Sequence, residues 1–313
     1  MTSGLPVDTT DIIMSSWSKS TQQKYATYIN QWLSFCESNG TNYLHATTKD
    51  GLKYLTQVFN NGRHYHTVAA ARSALSSIIP STNGILFGEQ PLVTKFVKGV
   101  SKLRPPFPKY SSVWDAGKVL DFFRSLPDNQ QMTLKQLTLK VTTLLCLVLC
   151  QRAQTIHSFR TDYLQVASEG LHIAFPSNLK TTRPGYHPEP VLVPRYPADV
   201  HICPVAAVEA YLLKTEALRG SEDKKLMVSY VSPYKGVSTK TISRWLKKTL
   251  SDANIDVSIF QGHSVRAAGT CKAKAAGVPI PNILKMAGWT GARTFAKHYD
   301  KPVLENVSLA ILS

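Results

Sequence analysis

The chain is short of acidic residues, and it lacks the features that would carry it through a membrane or into a disulfide framework. Its 20 Asp and Glu stand against 36 Lys and Arg, a formal net charge of +16. That imbalance points to a polyanionic partner, although net charge alone also fits a basic protein that is merely soluble. The basic residues are spread along the chain, which excludes a disordered basic tail. The five cysteines are odd in number and form no Cys-x-x-Cys pair, which argues against a disulfide framework or a zinc site. Cys146 and Cys150 lie one helical turn apart in an apolar run, where they read as core residues, so a reducing compartment is expected. The longest apolar run, 141–150, falls well short of the ~20 residues that cross a bilayer. Residues 1–10 lack the charged and apolar regions of a secretory signal, and no dense Lys/Arg run reads as a nuclear address. There is no internal repeat and no long low-complexity segment.

What is present is enough apolar sequence, 43% of 313 residues, to bury one or two sizeable cores. The clearest boundary is the proline-rich stretch 104–108, because proline at that density holds the backbone extended and stops helices on both sides. Residues 1–103 are expected to form an all-helical domain, 104–112 a linker, and 113–313 a second domain with a tail at 302–313. In the first domain, Ser20 can cap a helix in which Tyr25, Tyr28, Ile29, Trp32, Leu33 and Cys36 recur at helical spacing, ending at Asn39-Gly40. Asp50 can open a second, 67–79 reads as a third closed by Pro80, and 95–103 as a fourth. Beyond the linker, 114–126, 134–150, 204–213, 240–250, 264–276 and 280–286 read as helices. Between them, 171–175 and 191–193 read as strands of a β-hairpin or short sheet with Lys180 near its turn. The expected fold is mainly α with a small antiparallel β-sheet.

The last third carries His263-Ser264-Val265-Arg266, then Gly288-Trp289, then His298-Tyr299. A tyrosine hydroxyl is a weak nucleophile, with an unperturbed pKa near ~10. Attack on a phosphodiester therefore needs cations that hold the phosphate and neutralise charge growing on its oxygens. Arg266 and the earlier Arg152 can supply a permanent, fork-shaped clamp, with His263 and Trp289 adding donors. His263 and Arg266 are three apart at the start of a helix, on one side of it. Nothing in this scheme requires a metal or cofactor. Each residue also has a plain structural role: Arg152 after an apolar helix meets the C-terminal dipole, Lys180 is a surface turn lysine, Trp289 and Tyr299 are core aromatics. Only their order and spacing together argue for chemistry. His64-Tyr65-His66 is not metal spacing on a helix, and His298 reads as a neighbour of the nucleophile.

This order resembles the tyrosine recombinase (integrase) superfamily: Arg152 in Cys150-Gln151-Arg152-Ala153-Gln154-Thr155, Lys180 in Asn178-Leu179-Lys180-Thr181, then His263, Arg266, Trp289 and Tyr299. Arg104-Pro105-Pro106-Phe107-Pro108-Lys109-Tyr110 followed by Trp114-Asp115, the 180–185 turn, and Thr294-Phe295-Ala296-Lys297-His298-Tyr299 resemble the recombinases of DIRS- and Ngaro-type retrotransposons and of Crypton elements. The likeness spans 104–301; before it only the helical pattern is shared. Two departures stand out. Thr155 occupies a position that is acidic in many members, so any carboxylate orienting Arg152 is missing or comes from elsewhere. Trp289 and Tyr299 are one position further apart than in bacterial and phage members, as in the retrotransposon type.

The resemblance implies a recombinase catalytic fold preceded by a helical core-binding domain, and DNA strand transfer through a 3′-phosphotyrosyl intermediate. Tyr299 would attack; Arg152, Arg266, His263 and Trp289 would stabilise the phosphorane-like state; Lys180 would protonate the leaving 5′-oxygen, with His263 as base for Tyr299. Double-stranded DNA would be the partner, contacted by Arg63, Arg72, Lys95, Lys98 and Lys102 on the first domain and Arg183 on the hairpin. Dimers to tetramers would form on DNA, the apolar tail (Val303, Leu304, Val307, Leu309, Ile311, Leu312) docking in trans. Integration of a mobile element is the expected role, in the nucleus if the host is eukaryotic. A type IB topoisomerase-like strand cutter and a domesticated DNA-binding protein without turnover remain as alternatives.

Overall fold

The computed structural model describes residues 6–107, 111–175, 189–220, 223–289 and 291–300. The chain divides into two compact units, Met1–Phe107 and Pro108–Ser313.

In the first unit the helices are α1 (Val7–Ser15), α2 (Lys19–Ser38), α3 (Thr48–Asn60), α4 (Tyr65–Leu75) and α5 (Pro91–Leu103). Caps, rather than the apolar spacing, decide where they start. The Ser18 hydroxyl, not that of Ser20, accepts the Thr21 N–H and opens α2. Thr47 opens α3, and Asp50 sits three residues in, its carboxylate accepting the Thr47 N–H to complete a capping box. Pro91 stands at the first position of α5, where its missing N–H costs nothing. Trp32, Leu55, Val68, Leu75, Phe87 and Val93 fill the core. Arg104 belongs to this unit: its Nη1 donates to the carbonyls of Phe59 (2.6 Å) and Arg63 (2.9 Å), and its guanidinium lies 3.8 Å from the centre of the Phe59 ring.

The second unit is organised around α7 (Leu134–Val148), buried on every side from Leu137 to Leu147. Packed against it are α8 (Ala153–Ser158), α9 (Pro204–Thr215), α10 (Thr239–Asp252) and α11 (Ser264–Ala275). Asp115 caps α6 (Ala116–Arg124). The remaining helices are α12 (Ile280–Ala287) and α13 (Ala292–His298). Three strands, β1 (Leu164–Val166), β2 (Gly170–Ile173) and β3 (Val191–Pro194), form an antiparallel sheet in that order. Leu164 faces Ile173, and Leu171 faces Val193. The hairpin expected from the sequence is thus β2–β3, and β1 and α8 are additions too short to reveal a period. Among the described residues no helix is long and apolar enough to cross a membrane.

Candidate active site

The first candidate arginine follows a sharp reversal. α7 ends at Val148, and Cys150 takes a positive φ of 50°. Arg152 then opens α8 in an extended conformation, with no side-chain capping bond. The simple structural account of Arg152, a cation meeting the C-terminal dipole of α7, does not describe this geometry. It stands instead at the positive end of α8, exposed, where a cation is electrostatically disfavoured. Residues that break a local rule mark functional places.

The second arginine breaks a stronger rule. Arg266, in the first turn of α11, is 2% exposed. Its Nη2 donates to the Ala287 carbonyl at 2.7 Å, while Nε and Nη1 are buried and have no hydrogen-bond partner. Among the described residues no carboxylate pairs with it. Burial, and then the charge of Arg152, pull its pKa down to about 10, partly opposed by Tyr299 and Cys150. It is still a cation at neutral pH. An unpaired buried charge costs several kcal/mol, so two cations held together with unspent donors are a receptor for an anion.

The two aromatic candidates complete this wall. α12 closes at Gly288, whose φ of 67° is left-handed, and the Trp289 N–H returns to the Leu284 carbonyl at 2.9 Å. That turn lays the Trp289 ring on Arg266, 4.1 Å from the guanidinium carbon. Its indole Nε1 is also buried without a partner. Tyr299 caps the C-terminus of α13. Its ring centre is 4.6 Å from that of Trp289 and 5.4 Å from the Arg266 guanidinium. Two contacts to α11 hold this end of the chain: Cys271 Sγ donates to the Tyr299 carbonyl at 2.9 Å, and Lys274 Nζ bridges both Asp300 carboxylate oxygens at 2.7 and 2.8 Å.

Arg152, Arg266, Trp289 and Tyr299 are therefore brought together, and His263 stands exposed one turn before Arg266 as the residue preceding α11. Lys180 and Arg183 lie outside the described residues, as does the tail 302–313. The position of Thr155 is now explained locally. Its hydroxyl donates to Gln151 Oε1 at 3.2 Å, and Gln151 Nε2 donates to the Met286 carbonyl at 2.7 Å. The Arg152 loop is thereby braced to the end of α12 that carries Trp289. Gln151 went unread in the sequence, because only its adjacency to Arg152 could have signalled it.

In the first unit Lys95, Lys98 and Lys102 line the exposed side of α5, opposite the buried Val93, Val97 and Val100. Arg63 is exposed and borders a cavity of about 430 Å³ with Lys24, Thr27, Gln31, Asn61 and Thr67. Arg72 differs: its Nε is buried without a partner, on the side facing Gly88. Among the described residues no group of three or more His, Cys, Asp or Glu side chains is placed to hold a metal.

No protein-family model and no curated protein matches the sequence. Solved structures do match the fold. The Tn1549 transposon integrase in complex with transposon right end DNA aligns with a TM-score of 0.59 at 11% identity, over 93% of this chain and 98% of that one. A lambda integrase dimer bound to a COC′ core site gives 0.55 at 16%, over 94% and 75%. The XerH site-specific recombinase in a post-cleavage complex with palindromic difH gives 0.55 at 12%, over 83% and 71%. The chain has the fold of the tyrosine recombinases.

Proposed function

We propose that the protein is a site-specific DNA recombinase that cuts and rejoins strands through Tyr299. The observation that carries this reading is Arg266: a buried guanidinium beside a second arginine, with two N–H donors unspent and the tyrosine ring against it. A scissile phosphate brings the anion this wall lacks. Tyr299 Oη forms the new bond to phosphorus, and the bond to the 5′-oxygen breaks. Arg266, Arg152, His263 and the Trp289 N–H hold the non-bridging oxygens as charge builds on them. His263 takes the tyrosine proton, and Lys180 gives one to the departing 5′-oxygen. Because the phosphodiester energy is kept in the phosphotyrosine, a 5′-hydroxyl from another strand reverses the step without ATP.

The finer reading is recombination for a mobile element, carried by the resemblance at 104–115, 180–185 and 294–299 and in keeping with the transposon integrase among the structural neighbours. The lambda integrase neighbours include a dimer on a core site and a tetramer on a Holliday junction. We infer like assembly for this chain on DNA, with the 302–313 tail docking in trans. The test is a pool of nicked duplexes of randomised sequence, from which covalently bound DNA is recovered. Wild type should yield a 3′-linked adduct and Tyr299→Phe none while still binding DNA; an adduct in the variant would move the nucleophile elsewhere, with Tyr186 the first alternative.

A further inference from the structure

The Trp114-Asp115 pair takes no part in this chemistry, yet one half of it reaches the catalytic turn. Asp115 is explained by α6, whose Gly117 N–H its carboxylate accepts at 2.8 Å. Trp114 is 3% exposed, and its indole N–H donates to the Ser264 hydroxyl at 2.8 Å across 150 positions of sequence. Indole nitrogen is a donor only, so a buried tryptophan needs such an acceptor.

Ser264 is the first residue of α11 and the immediate neighbour of His263. On the other side of His263, Gly262 approaches α10 so closely that a Cβ there would stand 2.7 Å from the Ser243 carbonyl oxygen and 3.2 Å from Leu246 Cβ. The backbone of His263 is therefore gripped on both flanks, while its own side chain is exposed. One grip is backbone contact against α10. The other is a single buried hydrogen bond from Trp114. Arg266 rides on the same first turn, so any rotation there displaces both catalytic donors together.

We propose that Trp114, acting through Ser264, is a positioning residue that sets the His263–Arg266 turn for phosphate attack. Trp114 touches no reacting atom in this scheme. It also lies near the start of the second unit, so the catalytic turn is anchored to the beginning of the compact unit that carries it. This deepens the recombinase reading and rests on it.

The experiment is a double-mutant cycle of wild type, Trp114→Phe, Ser264→Ala and the double variant. DNA affinity and single-turnover adduct formation on saturating nicked duplex are both measured. A misplaced donor set can cost up to ~10²-fold in rate. Each single variant should slow adduct formation by roughly 10- to 100-fold with affinity within about twofold of wild type, and the double variant should be no slower than the slower single. Ser264→Thr, which keeps the hydroxyl, should restore the rate. Phe123→Leu, a core change at the opposite end of α6 from Trp114, should lower stability without slowing the saturated rate. If Trp114→Phe does not fold, Ser264→Ala carries the comparison alone. A saturated rate equal to wild type in the Trp114 or Ser264 variants overturns the proposal. If wild type itself forms no adduct, the recombinase reading falls, and the positioning claim is judged on the His263 imidazole resonances: displaced in both variants if it holds, unchanged if it is wrong.

Discussion

Among the described residues of the second unit two cations, Lys140 and Arg266, are buried, and they are treated in opposite ways. Lys140, in the middle of α7, is 0% exposed, and its Nζ donates to Asn129 Oδ1 at 2.8 Å. Burial pulls its pKa down to about 8, while the charges of Asp199 and Asp128 push back. Arg266 is just as deep, but the cation that acts on it, Arg152, adds to the penalty. The helix bundle thus sets an amide acceptor and the field of two carboxylates against one buried charge, and a second cation against the other. Lys140 is a charge whose burial is only partly offset, by Asn129 and by the charges of Asp199 and Asp128. Arg266 is a charge left for something that arrives, and the guanidinium that carries the two unspent nitrogens lies 5.4 Å from the centre of the Tyr299 ring.

The largest expected effect separates the two directly. Arg266→Met should reduce adduct formation by at least about 10²–10³-fold, the usual cost of a lost transition-state donor. Its stability should rise, by about 1–4 kcal/mol in urea unfolding, because an apolar side chain of similar volume replaces an unpaired charge. Lys140→Met should leave the adduct rate alone. A destabilised Arg266→Met would mean that its charge is compensated after all.

Next in size is the response to an anion. Inorganic phosphate at about 100 times its dissociation constant should stabilise wild type and Lys140→Met by about 2.7 kcal/mol. Arg266→Met should gain nothing; equal stabilisation would place the anion elsewhere.

A pH series sharpens the other half of the comparison. The native pKa of Lys140, about 8, lies below its ordinary value of 10.5. Between those values the folded state binds fewer protons than the unfolded chain, so this residue makes stability rise with pH. Its penalty is present in full below pH 8 and fades as pH climbs toward 10.5. Urea unfolding from pH 7 to 10 should show that rise in wild type and a flatter curve in Lys140→Met.

The smallest effect belongs to the first unit, whose α5 cations are on the surface and inexpensive. Lys98→Ala should change stability by no more than about 0.5 kcal/mol. If Lys98 meets a DNA phosphate, the variant should lose ~0.9 from the log–log salt slope of binding.

How much of this was legible depends on what kind of signal each residue leaves. Arg152, Arg266, Trp289 and Tyr299 could be read because residue type and order are themselves the signal, and the fold collects them. The long helices could be read from their apolar period. Their starts could not, because Ser18 competes with Ser20, and Thr47 with Asp50, within a few residues of equal capping chemistry. β1 and α8 are shorter than one readable period. Gln151, Trp114 and Ser264 were invisible as supports because their partners lie 135 or 150 positions away and leave no periodic trace.

On this reading Tyr299, held against the Arg266 wall, is the group that joins DNA. The most direct measurement is to digest the covalent protein–DNA adduct with trypsin and nuclease and to locate the nucleotide-bearing peptide by mass spectrometry. Wild type should carry a phosphodiester on Tyr299, Arg266→Met the same linkage at much reduced yield, and Lys140→Met at undiminished yield. A nucleotide on any other side chain, or a yield indifferent to Arg266, would contradict it.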